Sequence, residues 1–233
     1  MRVFDLNWMQ LRDRAAKDDR AVLPIGSTEQ HAYLSLGVDA ILAERVSLEA
    51  AAPLSLPVFP AINYGFTPNF VDYPGTVTLS LATFTAMVSE VLDGIARAGF
   101  RRIVVVNGHG GNAPAQAMTF EWLGRHRGHQ VKWHNWWAAP KTLAKVHSFD
   151  RVATHASWME NFPWTRVEGA AMPSSSKPQV PYENFSQLDP ARKKELIGDG
   201  NFGGLYQRGD DEMRAIWAVA VEETRAVMTD GWL

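Results

Sequence analysis

The chain has 233 residues, 46% of them hydrophobic, a formal charge of −2 and no cysteine. That length suits one α/β domain with a sizeable core, or at most two small ones, and the composition excludes a disordered chain or a polyanion binder, so nucleic acid is not an expected partner. Without thiols there are no disulfides and no thiolate ligands, and any metal must be held by His, Asp and Glu.

In chain order the predicted elements are helix 6–17, strand 21–26, helix 39–52, strands 56–60 and 76–80, helix 81–98, strand 102–107, helix 113–126, strand 130–135 and helix 210–228. The clearest helix carries Phe84, Met87, Val88, Val91, Leu92 and Ile95 on one face, with Ser80 or Thr83 as cap and Gly99 as stop. The run Ile103 to Val106 is apolar throughout, as in a strand covered on both faces. This alternation predicts right-handed βαβ crossovers and a single three-layer αβα domain over 1–233 with a mostly parallel sheet. Residues 162–190, with Pro163, Pro173, Pro178, Pro181 and Pro190 around Ser174-Ser175-Ser176, read as an irregular excursion or lid within it. No run approaches the roughly 18 apolar residues of a membrane helix, and Met1-Arg2-Val3-Phe4-Asp5 lacks a signal-peptide core, so a cytoplasmic location is expected.

Chemistry concentrates in three segments. Gly26-Ser27-Thr28-Glu29-Gln30-His31 follows the apolar run 21–25 and leads to Asp39; Asn107-Gly108-His109-Gly110-Gly111-Asn112 follows Ile103 to Val106; His155-Ala156-Ser157-Trp158-Met159-Glu160 comes later. Two of these lie where strands of an α/β sheet end and its crevice opens. Carboxylates and imidazoles are ligands that borderline divalent ions accept. Glu29 and His31, two apart in an extended segment, point to the same side. Asp39 is open to two readings, a metal ligand or the N-cap of the helix that follows. The glycine-rich turn around His109 has neither the spacing nor the lysine of a phosphate loop. His155 and Glu160, five apart, suit two different jobs better than one shared helical face. The tryptophan clusters Trp133-His134-Asn135-Trp136-Trp137 and Trp158 to Trp164 read as core, interface or pocket, with Trp158 the one expected to line a pocket. Arg166 suits an acidic substrate group or a structural ion pair equally. His126, His129, His134 and His147 show no ligand pattern, and His126 sits at a helix C-terminus that favours a cation.

These blocks resemble the creatininase family, whose hallmarks are G-S-x-E-Q-H-G-P-H-L-P-L-x-x-D, N-G-H-G-G-N and H-A-G-x-x-E-T-S. Tyr73-Pro74-Gly75-Thr76-Val77-Thr78-Leu79-Ser80 is similar to the family's F-P-G-T-I-S-L, and the Gly198-Asp199 stretch also matches, so the resemblance runs in order from about 21 to 161 and beyond. It implies a creatininase-like α/β fold and two divalent ions, zinc first with manganese or iron as alternatives. Glu29, Asp39 and His109 would hold one ion, and His31, Asp39 and Glu160 the other, with Asp39 bridging. His155 would transfer the proton, with Glu160 also counted as catalytic, while Trp158, Tyr33, Arg166, Gly110 and Gly111 would meet the substrate. Three departures stand out. The loop from His31 to Asp39 is one residue shorter than the family's and lacks its second His; Thr67-Pro68-Asn69-Phe70 replaces S-x-E-H; and Gly111 stands where creatininase itself has a glutamate ligand.

The function expected from this resemblance is hydrolysis of a C–N bond in a non-peptide or cyclic amide, or a formamide, by a metal-activated water. Relatives open cyclic amides, deformylate formylaminopyrimidines or cleave a dipeptide in mycofactocin maturation, and the altered loop argues against creatinine. A creatininase-like peptidase, or a scaffold that has lost catalysis, is the alternative. The expected partner is a small amide, in a homo-oligomer with a hexamer favoured.

Overall fold

Three parallel strands, β1 (Arg20–Ile25), β2 (Arg102–Asn107) and β3 (Gln130–Asn135), form a sheet of that order, Arg20 in register with Arg102 and Arg102 with Gln130. The structure is a computed structural model and describes every residue except 182 and 184, which fall within the predicted excursion. Because side chains alternate along a strand, β1 and β2 each feed two cores, while β3 adds Val131 and Trp133 to the second alone. Val22, Val104 and Val106 pack against Val38, Leu42, Val46, Val146, Ile216 and Ala220, the inner faces of α2 (Val38–Ala51), α5 (Pro140–Phe149) and α7 (Asp210–Thr229). Ala21, Leu23, Ile25, Ile103 and Val105 pack against Phe84, Val88, Leu92 and Ile95 of α3 (Leu81–Arg97) and Trp122 of α4 (Gln116–Arg125). The fold is therefore α/β in three layers, helix on sheet on helix.

Local chemistry sets the helix ends. α1 (Trp8–Ala15) opens on a capping box in which Asn7 and Gln10 exchange bonds with each other's backbone, and α3 opens with Ser80 accepting from the Thr83 amide at 3.1 Å. Two predicted strands are not strands. Residues 56–60 lie along the open edge of β1 but touch it only at isolated bridges such as Val22 to Val58, because Pro57 and Pro60 have no N–H to extend a ladder. Residues 76–80 contribute a single antiparallel bridge, Thr28 to Val77, to a loop rather than to the sheet. The helix predicted from 113 begins as a 3-10 turn over Gly110–Ala115, with Pro114 inside it, before α4 takes over. The sequence pattern does not predict α5 or α6 (Pro190–Ile197). Both start on proline at N1, and Asp189 caps α6 by accepting from the Arg192 amide.

The excursion folds back over the sheet's C-terminal end. Lys177 and Gly204 form an isolated antiparallel bridge, and Val180 joins Phe70, Tyr73, Ile197 and Phe202 in a third small cluster. Among the described residues, no helix is long and apolar enough to cross a membrane.

Candidate metal centre

The ends of β1 and β2 deliver the first two segments side by side, and α2 slots its N-terminus between them. Gly26 and Gly108 make that approach feasible: a Cβ on Gly26 would overlap the backbone of Ala40, and one on Gly108 the carbonyl oxygen of Asp39. The short loop after His31 turns tightly, Leu34 N–H donating to the His31 carbonyl at 2.9 Å and Glu29 N–H to the Leu36 carbonyl at 3.0 Å. It places Asp39 in the first turn of α2, where Gly37, not Asp39, is the N-cap.

Asp39 therefore has its carboxylate free for the interior. Its Oδ1 lies 3.2 Å from His31 Nε2, its Oδ2 lies 2.9 Å from His109 Nδ1, and Ser27 Oγ donates to Oδ2 at 2.8 Å. Each histidine is aimed by a bond from its other nitrogen: His31 Nδ1–H donates to the Glu29 carbonyl at 3.1 Å, and His109 Nε2–H to the Phe66 carbonyl at 3.1 Å. Such backbone bonds fix the tautomer and leave the facing nitrogen as the donor for a metal. Glu29 Oε1 is 3.4 Å from His109 Nδ1, and Glu160 Oε2 is 3.8 Å from His31 Nε2. Glu160 is held by the Ala156 amide, 2.6 Å from Oε2, an approach that requires Ala156 in the left-handed region at φ 58. Ala32, after the other histidine, is left-handed as well, at φ 51. Strained backbone of this kind, costing on the order of 1–3 kcal/mol a residue, concentrates at functional sites.

The donor atoms gather into three overlapping trios, each within 4.8 Å: Glu29, Asp39 and His109; His31, Asp39 and Glu160; Glu29, His31 and His155. Both carboxylate oxygens of fully buried Glu29 lack a hydrogen-bond partner. A buried carboxylate without donors is costly, and a divalent cation is the partner that would satisfy it. With protons as the only cations, the cluster titrates abnormally. Burial pushes the Glu29 carboxyl up, against the pull of His109. Burial also outweighs His31 in lifting Glu160 to about 7. Burial would lower His31, but Asp39, Glu160 and Glu29 outweigh it and hold it at about 10; Glu29 and Asp39 likewise hold His109 at about 9. Asp39 is driven below the usual carboxylate range by His31 and His109 despite its burial. Three carboxylates facing two imidazoles in a dry pocket suit borderline divalent ions.

His155 differs from the other two. Burial, followed by the nearby His31, keeps it well below its ordinary value and hence neutral. Its ring stacks on Phe70, centroids 4.8 Å apart and planes 9° apart. Gln30 Oε1 accepts from the Ala32 amide and Gln30 Nε2 donates to the Gly200 carbonyl, so the Gln30 amide can only donate to His155 Nε2, 2.9 Å away. The same Nε2 lies 3.2 Å from the Gln30 backbone carbonyl, which accepts a proton from it in the other tautomer, and Nδ1 faces the cluster 3.8 Å from Glu29 Oε1.

A cavity of about 280 Å³ opens over the cluster, walled by Phe66, Phe70, Trp137, Leu143, Met159, Phe185 and Phe202 with Thr67, Asn69 and Thr154 as polar points. Gly110, Gly111, Glu29, Asp39, His109, His155 and Glu160 line it as well. Three expected substrate contacts are elsewhere. Trp158 is fully buried in the core, donating to the Val152 carbonyl at 2.8 Å, because the 3-10 turn Trp158–Glu160 rotates each residue by about a third of a turn and gives the cavity Met159 and Glu160 instead. Tyr33 packs edge-on against Tyr206, centroids 5.5 Å apart. Arg166 takes the structural option, bound to Asn161 Oδ1 and to Asp210, each at 2.6 Å. Sequence reasoning passes over Ser27 and Gln30 although they stand inside the first motif, and over Trp137 although it ends a tryptophan cluster. The cavity residues Phe70, Phe185 and Phe202 come from remote loops that no local pattern joins.

The creatininase family profile, described as creatinine amidohydrolase, matches residues 4–228. The chain belongs to the creatininase family. Creatinine amidohydrolase of Pseudomonas putida is 33% identical over 114 residues, 46% of this chain and 44% of that protein. The mycofactocin precursor peptide peptidase of Mycolicibacterium smegmatis is 34% identical over 119 residues, 48% of this chain and 47% of that protein. The 3-dehydro-scyllo-inosose hydrolase of Thermotoga maritima is 33% identical over 103 residues, 43% of this chain and 33% of that protein. In each case the match spans less than half of the relative's own length. The fold extends further: a creatininase crystal structure superposes with a TM-score of 0.79 over 97% of this chain and 96% of that chain at 22% identity. Creatininase structures described as Zn-Zn type and as Mn superpose with TM-scores of 0.78 and 0.81, over 97% of this chain and 96% of theirs at 22% and 21% identity.

Proposed function

We propose that this protein hydrolyses the C–N bond of a small non-peptide amide, a lactam or formamide, with two divalent ions held in the cluster. Glu29, Asp39 and His109 would hold one ion and His31, Asp39 and Glu160 the other, with Asp39 shared between the two trios. The observation that carries the reading is Glu29, fully buried with neither oxygen hydrogen-bonded, beside two histidines whose inward nitrogens face Asp39. In this donor set a divalent ion supplies a water of lowered pKa and a polarised carbonyl.

The chain's own groups do the rest. The aromatic wall excludes bulk water and orients a compact substrate over the carboxylates. Neutral His155, its Nδ1 facing the cluster and its ring held by Gln30 and Phe70, takes up the proton that the attacking water releases and passes it to the departing nitrogen. Glu160, which burial lifts to about 7, would help to hold the second ion, whose positive charge would take the place of that proton. Residues 1–233 act as one domain in which 162–190 helps to cover the cavity, in a cytoplasmic homo-oligomer, a hexamer being favoured. Zinc is the favoured metal.

Elemental analysis tests the site. Close to two divalent ions per chain are expected in wild type and close to one in Glu160→Gln, which keeps size and removes the charge. Fewer than one ion per chain in wild type, with no gain on adding zinc or manganese, would favour a scaffold without catalysis.

A further inference from the structure

Lys193 of α6 is only 6% exposed, yet no carboxylate pairs with its ammonium among the described residues. Its Nζ donates to Asn69 Oδ1 at 2.7 Å and lies 5.2 Å from the centroid of the Phe185 ring. Both contacts belong to the cavity wall. A buried cation held by one amide oxygen and one ring is only partly compensated. Because Oδ1 of Asn69 is committed to Lys193, the amide's NH2 end is the end left for the cavity, and no partner engages it among the described residues. No lysine or arginine lines the cavity among the described residues, so on the Asn69 side, away from the histidine cluster, Lys193 is the cation nearest the wall. The pair is rigidly seated: α6 packs on the turn Pro68–Phe70, and the neighbouring Lys194 Nζ donates to the Asp72 carbonyl at 2.6 Å.

We propose that Asn69 and Lys193 form a carboxylate-selecting subsite: Asn69 Nδ2 donates to a carboxylate carried by the substrate, while Lys193 orients that amide and supplies the counter-charge through it. The substrate class narrows to an amide bearing an acid group. Lys193 is a positioning residue here, and Asn69 the group that touches the ligand. The subsite rests on the reading of the cavity as an amide-hydrolysing site but is separable from it by experiment.

Two matched probes, 4-formamidobenzoate and its neutral counterpart formanilide, are titrated calorimetrically into zinc-loaded protein, and their turnover is followed in parallel. Wild type is expected to bind the acid at least tenfold more tightly. Lys193→Met should reduce that preference to within twofold, Lys193→Arg should keep it, and Asn69→Asp, which pairs with Lys193 and places a negative charge in the wall, should invert it. Loss of packing alone would weaken both probes equally and leave their ratio unchanged. The assignment is overturned if wild type shows no preference or binds neither probe, or if Lys193→Met retains the preference, which would put the carboxylate on the metal ions instead. Should Lys193→Met fail to fold, a preference surviving in Asn69→Asp overturns it equally. Discrimination without turnover of either probe leaves the subsite standing and removes the hydrolase reading; turnover without discrimination does the reverse.

Discussion

At the scale of single residues, three histidines near one cluster carry different chemistry because their second nitrogens meet different partners. His31 and His109 each donate to a backbone carbonyl and turn the other nitrogen toward Asp39, whereas His155 Nε2 meets the side chain and the carbonyl of Gln30 and its Nδ1 faces Glu29. His109→Ala is therefore expected to lower metal content and turnover together. His155→Ala should keep the metal and cut turnover by roughly 100-fold or more, the usual worth of a positioned proton donor. Metal content measured beside rate separates them, and an emptied site in His155→Ala would make it a ligand of the third trio. His134 offers a test away from the cluster. Burial, against a weaker pull from Glu223, lowers it from 6.5 to about 4, and its Nε2 shares a hydrogen bond with Thr224 Oγ1 at 3.0 Å. In the folded state it stays neutral where the unfolded chain takes up a proton. Its stabilisation is thus complete above pH 6.5 and lost as pH falls toward 4, a span worth roughly 3 kcal/mol. Denaturant unfolding should show His134→Gln losing less stability than wild type across that window; parallel curves would contradict the assignment.

At the scale of elements, the site depends on how closely α2 approaches the strand ends. Gly108→Ala would push its Cβ into the Asp39 carbonyl, backbone against backbone, which no rotamer change relieves. The helix start must shift, and with it the carboxylate between the two histidines. A loss of about 2 kcal/mol or more in stability is expected together with weakened metal binding, read by thermal melts and metal titration. Gly124, where an added Cβ would meet nothing within 4 Å, is the control: Gly124→Ala, within α4, should stabilise by about 0.5–1 kcal/mol. The elements that sequence patterns miss follow the same logic. α6 opens on Asp189-Pro190, a readable start signal, but it sits at the end of a proline-rich stretch and its hydrophobic contact is with a loop cluster, not with the sheet.

At the scale of the molecule, two cores share one sheet while the charged cluster sits at the sheet's end, so the fold and the metal are coupled but not equivalent. Removing metal with EDTA should lower the melting temperature without unfolding the protein at room temperature. Ions present at about 100 times their dissociation constant stabilise by about 2.7 kcal/mol, which for a chain of this size is roughly 5–10 °C. Differential scanning calorimetry with and without chelator reads this directly. An unchanged melting temperature would mean that Glu29 and its neighbours hold no ion.

The sequence by itself determined the layered α/β fold and the positions of β1, β2 and β3 and of α2 and α4 after the first two, and it put forward the short list Glu29, His31, Asp39, His109, His155 and Glu160. Those are local properties: apolar strands announce themselves by composition, and ligand-bearing turns by residue types packed into a few positions. Only the tertiary structure decided that Asp39 leaves the cap to Gly37 and lies between two histidines, that Trp158 faces the core while Met159 faces the cavity, that Arg166 is spent on Asp210, and that Lys193 stands behind Asn69. Each of these depends on segments tens to more than a hundred residues apart meeting in space, or on the rotation of a short turn, and neither is written in the spacing of neighbouring residues.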